Sequence, residues 1–272
     1  MFGKLMKYDF RSYFKSLLPI WGAVLVLAAI NGFTLRRGNM PSVESYNAFF
    51  TFVLPLMLFI CSFVAMAVTT LVLIIQRFYH GLLGSEGYLM FTLPVSRSQL
   101  IGSKLTVSVI VQLISFAVVA LSGLILGLLL GRDSFLEFIP KVFSFIGEGF
   151  EQYPHQSRSV VLICLELFVL MLTASAGSSL HLYAAMSLGH LSRKQRVAAS
   201  VLAWVGLNVV FSNLGARILF GFFKGNASLW MHLETMRDVM LLLLLFILAS
   251  ALLDAIYWAI SEWVLKRKLN LE

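Results

Sequence analysis

The sequence predicts an all-α protein, a polytopic membrane bundle of six transmembrane helices. Hydrophobic residues make up 59% of the 272 residues, charged residues only 12%, and the mean hydropathy is +0.88. Because a soluble domain has roughly 25% charged residues, most of this surface must face lipid. Six apolar segments reach the roughly 20 residues that cross a bilayer. They leave no room for a soluble domain, so we predict one transmembrane domain over residues 1–272.

The first 16 residues have a helical pattern of their own. Apolar residues recur at spacings of three and four, and Lys4, Lys7, Arg11 and Lys15 follow the same period on another face. This pattern predicts an amphipathic helix that lies in the headgroup plane. The alternative is the start of a signal peptide, but no convincing cleavage site closes the apolar stretch that follows.

Six apolar segments follow, and Arg217 in the fifth is the one Lys or Arg among them. Several are longer than a bilayer requires, which predicts tilted helices or interfacial extensions. Cys61 and Cys164 lie in these segments and are interpreted as buried small hydrophobic residues rather than disulfide or metal ligands. The predicted spans are 17–35, 48–75, 105–130, 159–189, 197–222 and 239–265.

The distribution of basic residues predicts that both termini are cytoplasmic. Thirteen Lys and Arg residues lie in the N-terminal segment, the 76–104 and 190–196 loops and the tail, against seven in the other connections. Because Lys and Arg are enriched in cytoplasmic loops, the segments with thirteen basic residues are predicted to be cytoplasmic. Arg36 and Arg37, which directly follow the first span on the other side, do not fit this distribution. In the outer loop 131–158, apolar residues at helical spacing predict an amphipathic helix on the outer leaflet.

The cytoplasmic loop 76–104 is unusually apolar. Leu82, Leu83, Leu89 and Phe91 are poor choices for a solvated linker. An exposed apolar element of this kind indicates a docking surface for another protein. A segment folded back against the bundle or the membrane explains the composition equally well.

The same loop resembles the first cytoplasmic loop of ABC-2 type transporter permeases. The resemblance lies in Glu86-Gly87-Tyr88-Leu89, then in the run Thr92-Leu93-Pro94-Val95-Ser96-Arg97, then in Leu100 and Lys104. Pro94 cannot continue a helix and disfavours helical geometry before it, and Ser96 can cap a helix that begins at Arg97. The basic N-terminus and the six spans are also similar to the family, above all to its small stand-alone members in Gram-positive bacteria.

The resemblance implies the membrane subunit of an ATP-driven transporter in the bacterial plasma membrane, acting as an exporter by alternating access. The loop would form a coupling helix that docks on a separate ATPase subunit, beside a second permease chain. The chain has no G-x-x-x-x-G-K-[ST] phosphate-binding loop, so ATP and Mg would bind the partner. We expect no catalytic residue, cofactor, metal or nucleic acid on this chain. The expected coupling residues are Leu82, Leu83, Glu86, Gly87, Leu89, Phe91, Pro94, Ser96, Arg97 and Lys104.

Five polar residues lie inside apolar segments: Glu166, His181, Arg217, Asp254 and Glu262. Charged groups at this depth usually form a pair or mark a transport pathway. The predicted pairs are Glu166 with Arg217, Asp254 with His181, and Glu262 with Lys266.

The intramembrane residues also leave other classes of function open. Asp254 and Glu166 would suit an ion-coupled carrier or channel, although the halves show no inverted repeat. Ser178 and His181 would suit an intramembrane protease, but neighbours on one helix point outward side by side and are poorly aimed for catalysis. The small-residue stretch 173–179 indicates close helix packing, with a polar pathway lining as the alternative.

Overall fold

A computed structural model of the chain describes residues 2–36, 53–84, 96–130, 154–192, 195–225 and 236–267, with residues 50 and 140 between them. The described part is helical, and six of its helices are long and apolar enough to cross a membrane. The six-span prediction is therefore confirmed. The helices are α1 (Phe2–Arg36), α2 (Leu54–Phe78), α3 (Arg97–Leu130), α4 (Pro154–Gly189), α5 (Arg196–Gly225) and α6 (Met236–Arg267).

The N-terminal segment is not a separate helix. It forms one continuous helix with the first span, and the stretch suited to crossing the membrane begins at Leu5. No glycine or proline stands at the predicted boundary after Ser16, so nothing in the local sequence interrupts the hydrogen-bonded ladder there. Pro19 lies inside the helix, where it removes one backbone donor. The predicted boundary at residue 16 is wrong.

The loop predicted at residues 76–104 is shorter than expected, because helical structure enters it from both sides. α2 continues to Phe78 and is followed by a π-helical turn, Tyr79–Leu83, whereas α3 begins at Arg97. The outer loop 131–158 lies almost entirely outside the described residues, apart from Pro140 and the first turn of α4. The predicted outer-leaflet helix therefore stays a prediction.

One compact unit comprises residues 6–74 and 110–151, with most of α1 and α2 and the outer part of α3. Its contacts fix the helix directions. The Tyr13 hydroxyl donates to the Leu73 carbonyl oxygen and the Asn31 amide to that of Pro55, so α1 and α2 are antiparallel. The Trp21 indole donates to the Ser115 hydroxyl over 3.1 Å.

The contact of Gly32, near the C-terminal end of α1, gives the direction of α3. A Cβ atom added at Gly32 would lie 2.5 Å from Leu129 Cβ. Because Trp21 meets Ser115 and Gly32 meets Leu129, contacts advance along both helices in the same sense. α1 and α3 are therefore parallel, with α2 running the opposite way.

The other unit comprises residues 1–5, 75–109 and 152–272. α4 and α6 pack along their length. Going along α4, Thr173 contacts Ser250, Gly177 faces Asp254 and His181 stacks on Tyr257. The two helices therefore run parallel. α5 runs antiparallel to α4, because His181 contacts Trp204 whereas the later Gly189 packs on Ser200.

Large apolar side chains cover the outside of the spans. Leu165, Leu248 and Leu252 are 59%, 62% and 65% exposed, which suits contact with lipid rather than with water. Cys61 and Cys164 are free thiols on this exposed surface. The interpretation of both cysteines as buried residues is therefore wrong, although both do lie in spans.

Candidate functional site

The segment between α2 and α3 is anchored to α4 at its N-terminal end. The Phe78 ring stacks on the Tyr183 ring, with centroids 4.0 Å apart and planes 10° from parallel. Both side chains are almost fully buried. Tyr79 then meets the edge of His190, with ring centroids 6.3 Å apart. The end of α2 is thus held against the end of α4 by aromatic contacts.

Leu82 and Leu83 complete the π-helical turn and are 0% and 3% exposed. Since they are covered by the chain itself, they do not offer an exposed docking surface. For these two residues the alternative interpretation, a segment folded back on the bundle, is the correct one. Their apolar character comes from packing within the chain.

The C-terminal end of the segment begins with a helix cap, as predicted. The Ser96 hydroxyl accepts a hydrogen bond from the Gln99 amide over 3.3 Å, and the Ser96 amide donates to Gln99 Oε1 over 3.2 Å. This reciprocal arrangement is a capping box. It fixes the start of α3 at Arg97. The capping role of Ser96 is confirmed.

One turn into α3, the chain is tied to α6 through Glu262. The Ser98 hydroxyl donates to Glu262 Oε1 over 2.6 Å, and the Trp258 indole donates to Glu262 Oε2 over 3.2 Å. Lys266 forms the predicted ion pair with the same carboxylate. Glu262 therefore joins two helices, which the sequence did not indicate. A pair four residues apart on one helix was all that spacing could predict.

Two further expected coupling residues, Arg97 and Lys104, lie on the described part of α3. Lys104 is 7% exposed, and its Nζ lies 2.7 Å from the position of a Cβ atom added at Gly81 in the π-helical turn. Lys104 thus packs against the turn instead of projecting outward. The other expected coupling residues, Glu86, Gly87, Leu89, Phe91 and Pro94, lie outside the described residues.

Within the spans, Asp254 lies at the interface between α4 and α6. A Cβ atom added at Gly177 would come within 2.5 Å of Asp254 Oδ1, so the missing side chain of Gly177 makes room for the carboxylate. One turn earlier on α6, the Ser250 hydroxyl donates to the Thr173 hydroxyl over 3.0 Å. Among the described residues, no hydrogen bond or ion pair reaches the Asp254 carboxylate.

One turn further along α4 than Gly177, the His181 ring lies between two aromatic rings. Its centroid is 5.1 Å from that of Tyr257 and 6.1 Å from that of Trp204, and both contacts are stacked. Its Nε2 atom is buried without a hydrogen-bond partner. The predicted Asp254–His181 pair is not found: the two residues occupy the same interface, but the structure describes no bond between them.

The arrangement around Ser178 does not resemble a serine nucleophile with its base. The Ser178 hydroxyl donates to the backbone carbonyl oxygen of Ser175, one turn back on the same helix. The His181 ring is held by residues of α5 and α6. The two side chains thus belong to different environments.

Glu166 and Arg217 do not form the predicted pair. Glu166 Oε2 is buried without a hydrogen-bond partner, Arg217 is exposed on α5, and the described residues include no ion pair between them. Proximity to the same membrane boundary, which was all the sequence offered, does not determine which way two side chains point.

His190 follows α4, just beyond the membrane-spanning stretch that ends at Gly189. Burial lowers the pKa of its imidazole, and the positive charge of Arg196 lowers it further. Its Nδ1 atom is buried without a hydrogen-bond partner. The neutral form is therefore favoured where His190 meets Tyr79.

Six helices long and apolar enough to cross a membrane, and a segment between α2 and α3 that is tied to two of them, define a multi-span membrane protein. Residues 44–151 match the model of the family described as ABC-2 family transporter protein. This segment is less than half of the chain and includes the loop in which the resemblance was found. The chain thus carries an ABC-2 family transporter domain over residues 44–151. Comparisons with curated proteins and with solved structures give no match.

The match also bears on catalysis, because the domain over residues 44–151 is of a membrane permease family that lacks catalytic activity. Among the described residues, no group of three or more His, Cys, Asp or Glu side chains could hold a metal ion.

Three residues of these sites escaped the sequence analysis: Ser98, Tyr183 and Tyr257. Each is an ordinary residue in its own helix, and its role comes from a partner 76 to 164 positions away. A sequence signal existed for Tyr257 alone, since it lies one turn from Asp254 on the same helix face.

Proposed function

We propose that this chain is the membrane-spanning subunit of an ATP-driven exporter in the bacterial plasma membrane. A separate ATPase subunit binds ATP and Mg and docks on the cytoplasmic segment between α2 and α3. A second permease chain, identical or different, completes the membrane part. Substrate then moves by alternating access. The family match over residues 44–151 supports this proposal.

The observation that carries the coupling role is the double anchoring of this segment. Its first end stacks on α4 through Phe78 and Tyr183, and its last end is bonded to α6 through Ser98 and Glu262. A displacement imposed on the segment would therefore be transmitted to both helices. The capping box at Ser96 makes the last end a defined start of a helix, which suits a lever.

The topology of the proposal has both termini in the cytoplasm. Its support is the excess of Lys and Arg on that side and the alternation of helix directions within each unit, where α1 is parallel to α3 and α4 to α6. Tags at Gly84 and Leu269 should be accessible to protease only in permeabilised or inverted vesicles. Accessibility on intact cells would contradict the orientation.

Docking is tested by co-purification with the ATPase subunit, which the proposal expects to be encoded by a neighbouring gene. Replacing residues 85–95 with a Gly-Ser linker of equal length leaves Leu82, Leu83 and the Ser96 cap in place, so the protein should still insert. We expect the ATPase to be lost from the purified complex. The matched control replaces the connection 226–235 in the same way and should retain it. Retention by the 85–95 variant would contradict the proposal.

Transmission is tested with the two natural cysteines, Cys61 on α2 and Cys164 on α4, which are the chain's only thiols and are exposed. In the ATPase complex, spin labels there should report a distance change when ATP and vanadate are added. Glu262→Ala should reduce this change while the ATPase still co-purifies, and Glu166→Gln should leave it intact. If the distance change in Glu262→Ala equals that in the parent protein, Glu262 does not transmit the movement.

A further inference from the structure

One side of α1 stays exposed from its N-terminal turns to the middle of the span. Because an α-helix rotates by about 100° per residue, residues at spacings of three and four share a stripe roughly 100° wide. We call the following residues the exposed stripe of α1: Lys7, Arg11, Lys15, Leu18, Gly22 and Val26. All six are exposed, and a Cβ atom added at Gly22 would have no neighbour within 4 Å.

The opposite side of α1 makes the contacts with other helices. Tyr13, Leu17 and Val24 on that side are 2%, 0% and 0% exposed. Asp9, the one acidic residue of α1, is at least about 120° around the helix axis from each basic residue of the stripe. The stripe is therefore neither used for packing within the chain nor neutralised by a carboxylate of its own helix.

The chemistry of the stripe changes once along its length. Lys7, Arg11 and Lys15 cover eight residues, or about 12 Å of helix. Leu18 and Val26 follow and are 55% and 59% exposed. A phospholipid presents the same order of groups, with a charged headgroup next to acyl chains.

The pairing of α1 with α2 places this change at a membrane boundary. The two hydrogen bonds from α1 to α2 match equal lengths of these antiparallel helices, so Lys15 is level with Leu71. The Leu71 side chain is 45% exposed, which suits contact with lipid, whereas Gln76 and Arg77 follow about one turn later on α2. The apolar surface of both helices thus ends near the level of Lys15.

Pro19 gives separate evidence for water at this level. It lies inside α1 and has no backbone N–H, so the helical hydrogen bond to the Lys15 carbonyl oxygen is missing. An unsatisfied carbonyl group is costly in hydrocarbon and can be satisfied by water in the headgroup region. The Lys15 backbone therefore fits the headgroup region better than the hydrocarbon core.

We propose that the exposed stripe of α1 binds an anionic phospholipid, with its phosphate group on Arg11 and Lys15 and an acyl chain along Leu18, Gly22 and Val26. Arginine offers paired donors to a phosphate group and lysine a compact positive charge. The absence of a side chain at Gly22 lets the acyl chain approach the helix. A soluble anion would leave the apolar half of the stripe uncovered. The contact requires neither an ATPase nor a second permease chain.

A fluorophore on the stripe measures which lipid lies there. Cys61 and Cys164 are replaced by serine, and Leu18→Cys is labelled in the full-length chain, which is placed in phosphatidylcholine vesicles. Nitroxide-labelled phosphatidylglycerol or phosphatidylcholine is added, and the quenching gives their relative affinity for the stripe. At about 0.1 M salt we expect phosphatidylglycerol to be preferred about fivefold or more. The preference should largely disappear at about 1 M salt, where the Debye length is about 3 Å. Equal affinity for the two lipids at the lower salt would overturn the proposal.

Variants then test the basic residues. Arg11→Gln combined with Lys15→Gln should reduce the preference to about twofold or less, because Lys7 alone remains. Arg36→Gln combined with Arg37→Gln removes the same number of charges at the other end of α1 and should leave the preference unchanged. Arg11→Lys should retain most of it. An unchanged preference in the Arg11 and Lys15 double variant would overturn the assignment, and the salt series on the parent protein tests it without any substitution.

Other occupants of the stripe predict different results, and each would overturn the proposal. A second copy of the chain on the stripe would shield the label from both nitroxide lipids. An ATPase contact would appear as loss of the co-purified ATPase in the Arg11 and Lys15 double variant, with quenching unchanged. The vesicles contain no ATPase, so the quenching result stands apart from the docking test on residues 85–95.

Discussion

The three helices α1, α2 and α3 and the three helices α4, α5 and α6 use the same pattern of directions with different chemistry. In each set the first and third helices are parallel and the second runs the other way. The described contacts from α1 to α2 and α3 include three neutral groups: the Tyr13 hydroxyl, the Trp21 indole and the Asn31 amide. The interface between α4 and α6 adds the ionisable side chains of Asp254 and His181. Two further ionisable groups, Lys104 and Glu262, lie where α3 meets the turn after α2 and where it meets α6.

Neutral hydrogen bonds join α1 to its neighbours and avoid the cost of charge at depth. The carboxylate of Asp254 between α4 and α6 raises the question whether it contributes to packing. Substitutions that affect the two kinds of contact differently can answer it.

The largest effect is expected at Gly189, where α4 ends against the first turn of α5. A Cβ atom at this position would overlap the backbone of Ser200, including its amide nitrogen and Cα. Backbone cannot move aside as a flexible side chain can, so Gly189→Ala should destabilise the protein by about 1–3 kcal/mol or more. Gly206→Ala on α5, with nothing within 4 Å, is the control.

Unfolding by sodium dodecyl sulfate in mixed micelles, followed by circular dichroism, measures both glycine variants. We expect the Gly206→Ala midpoint to equal or exceed that of the parent protein, because alanine is the better helix former. Equal midpoints for the two variants would show that α4 and α5 are not in close contact at Gly189.

The comparison between neutral and charged contacts is tested by Trp21→Phe against Asp254→Asn. Trp21→Phe leaves the Ser115 hydroxyl without its donor and should destabilise the protein by about 1 kcal/mol. Asp254→Asn removes a charge that has no described partner, so stability should be unchanged or increased. A loss of stability in Asp254→Asn similar to that of Trp21→Phe would mean that Asp254 is structural.

The cap at the start of α3 should give an effect of similar size. Ser96→Ala removes the side chain that accepts the Gln99 amide hydrogen bond, at a cost of about 1 kcal/mol. Thr106→Ala, whose hydroxyl bonds within its own helix, serves as the control. Hydrogen exchange of the first turn of α3 should increase in Ser96→Ala alone. Unchanged exchange there would argue against the capping box.

The smallest effect concerns pH. Because the pKa of His190 is lower in the folded protein, the unfolded chain binds more protons as pH falls through about 6.5. Stability contributed by the neutral form is therefore lost as pH falls from 6.5 toward the lowered folded pKa. Melting temperatures at pH 7.5 and 5.5 should differ less in His190→Gln than in the parent protein. An equal difference in both would exclude His190 as the source.

The sequence by itself determined the number of spans, since apolar length and scarcity of charge leave no other fold for such a chain. It also determined the cap at Ser96, because capping depends on residues three positions apart. The family was visible in the loop motif for a similar reason: Glu86, Pro94 and Ser96 are close in sequence. Local chemistry can be recognised without knowing what lies across the interface.

Tertiary structure alone decided which distant side chains meet. Glu166 and Arg217 were expected to pair and do not, whereas Glu262 bonds to Ser98 at the far end of another helix. These outcomes depend on the rotation and register of each helix about its own axis, and a uniformly apolar segment does not specify them. The burial of Leu82 and Leu83 and the continuity of α1 through residue 16 have the same origin, because contacts with neighbouring helices outweigh local pattern.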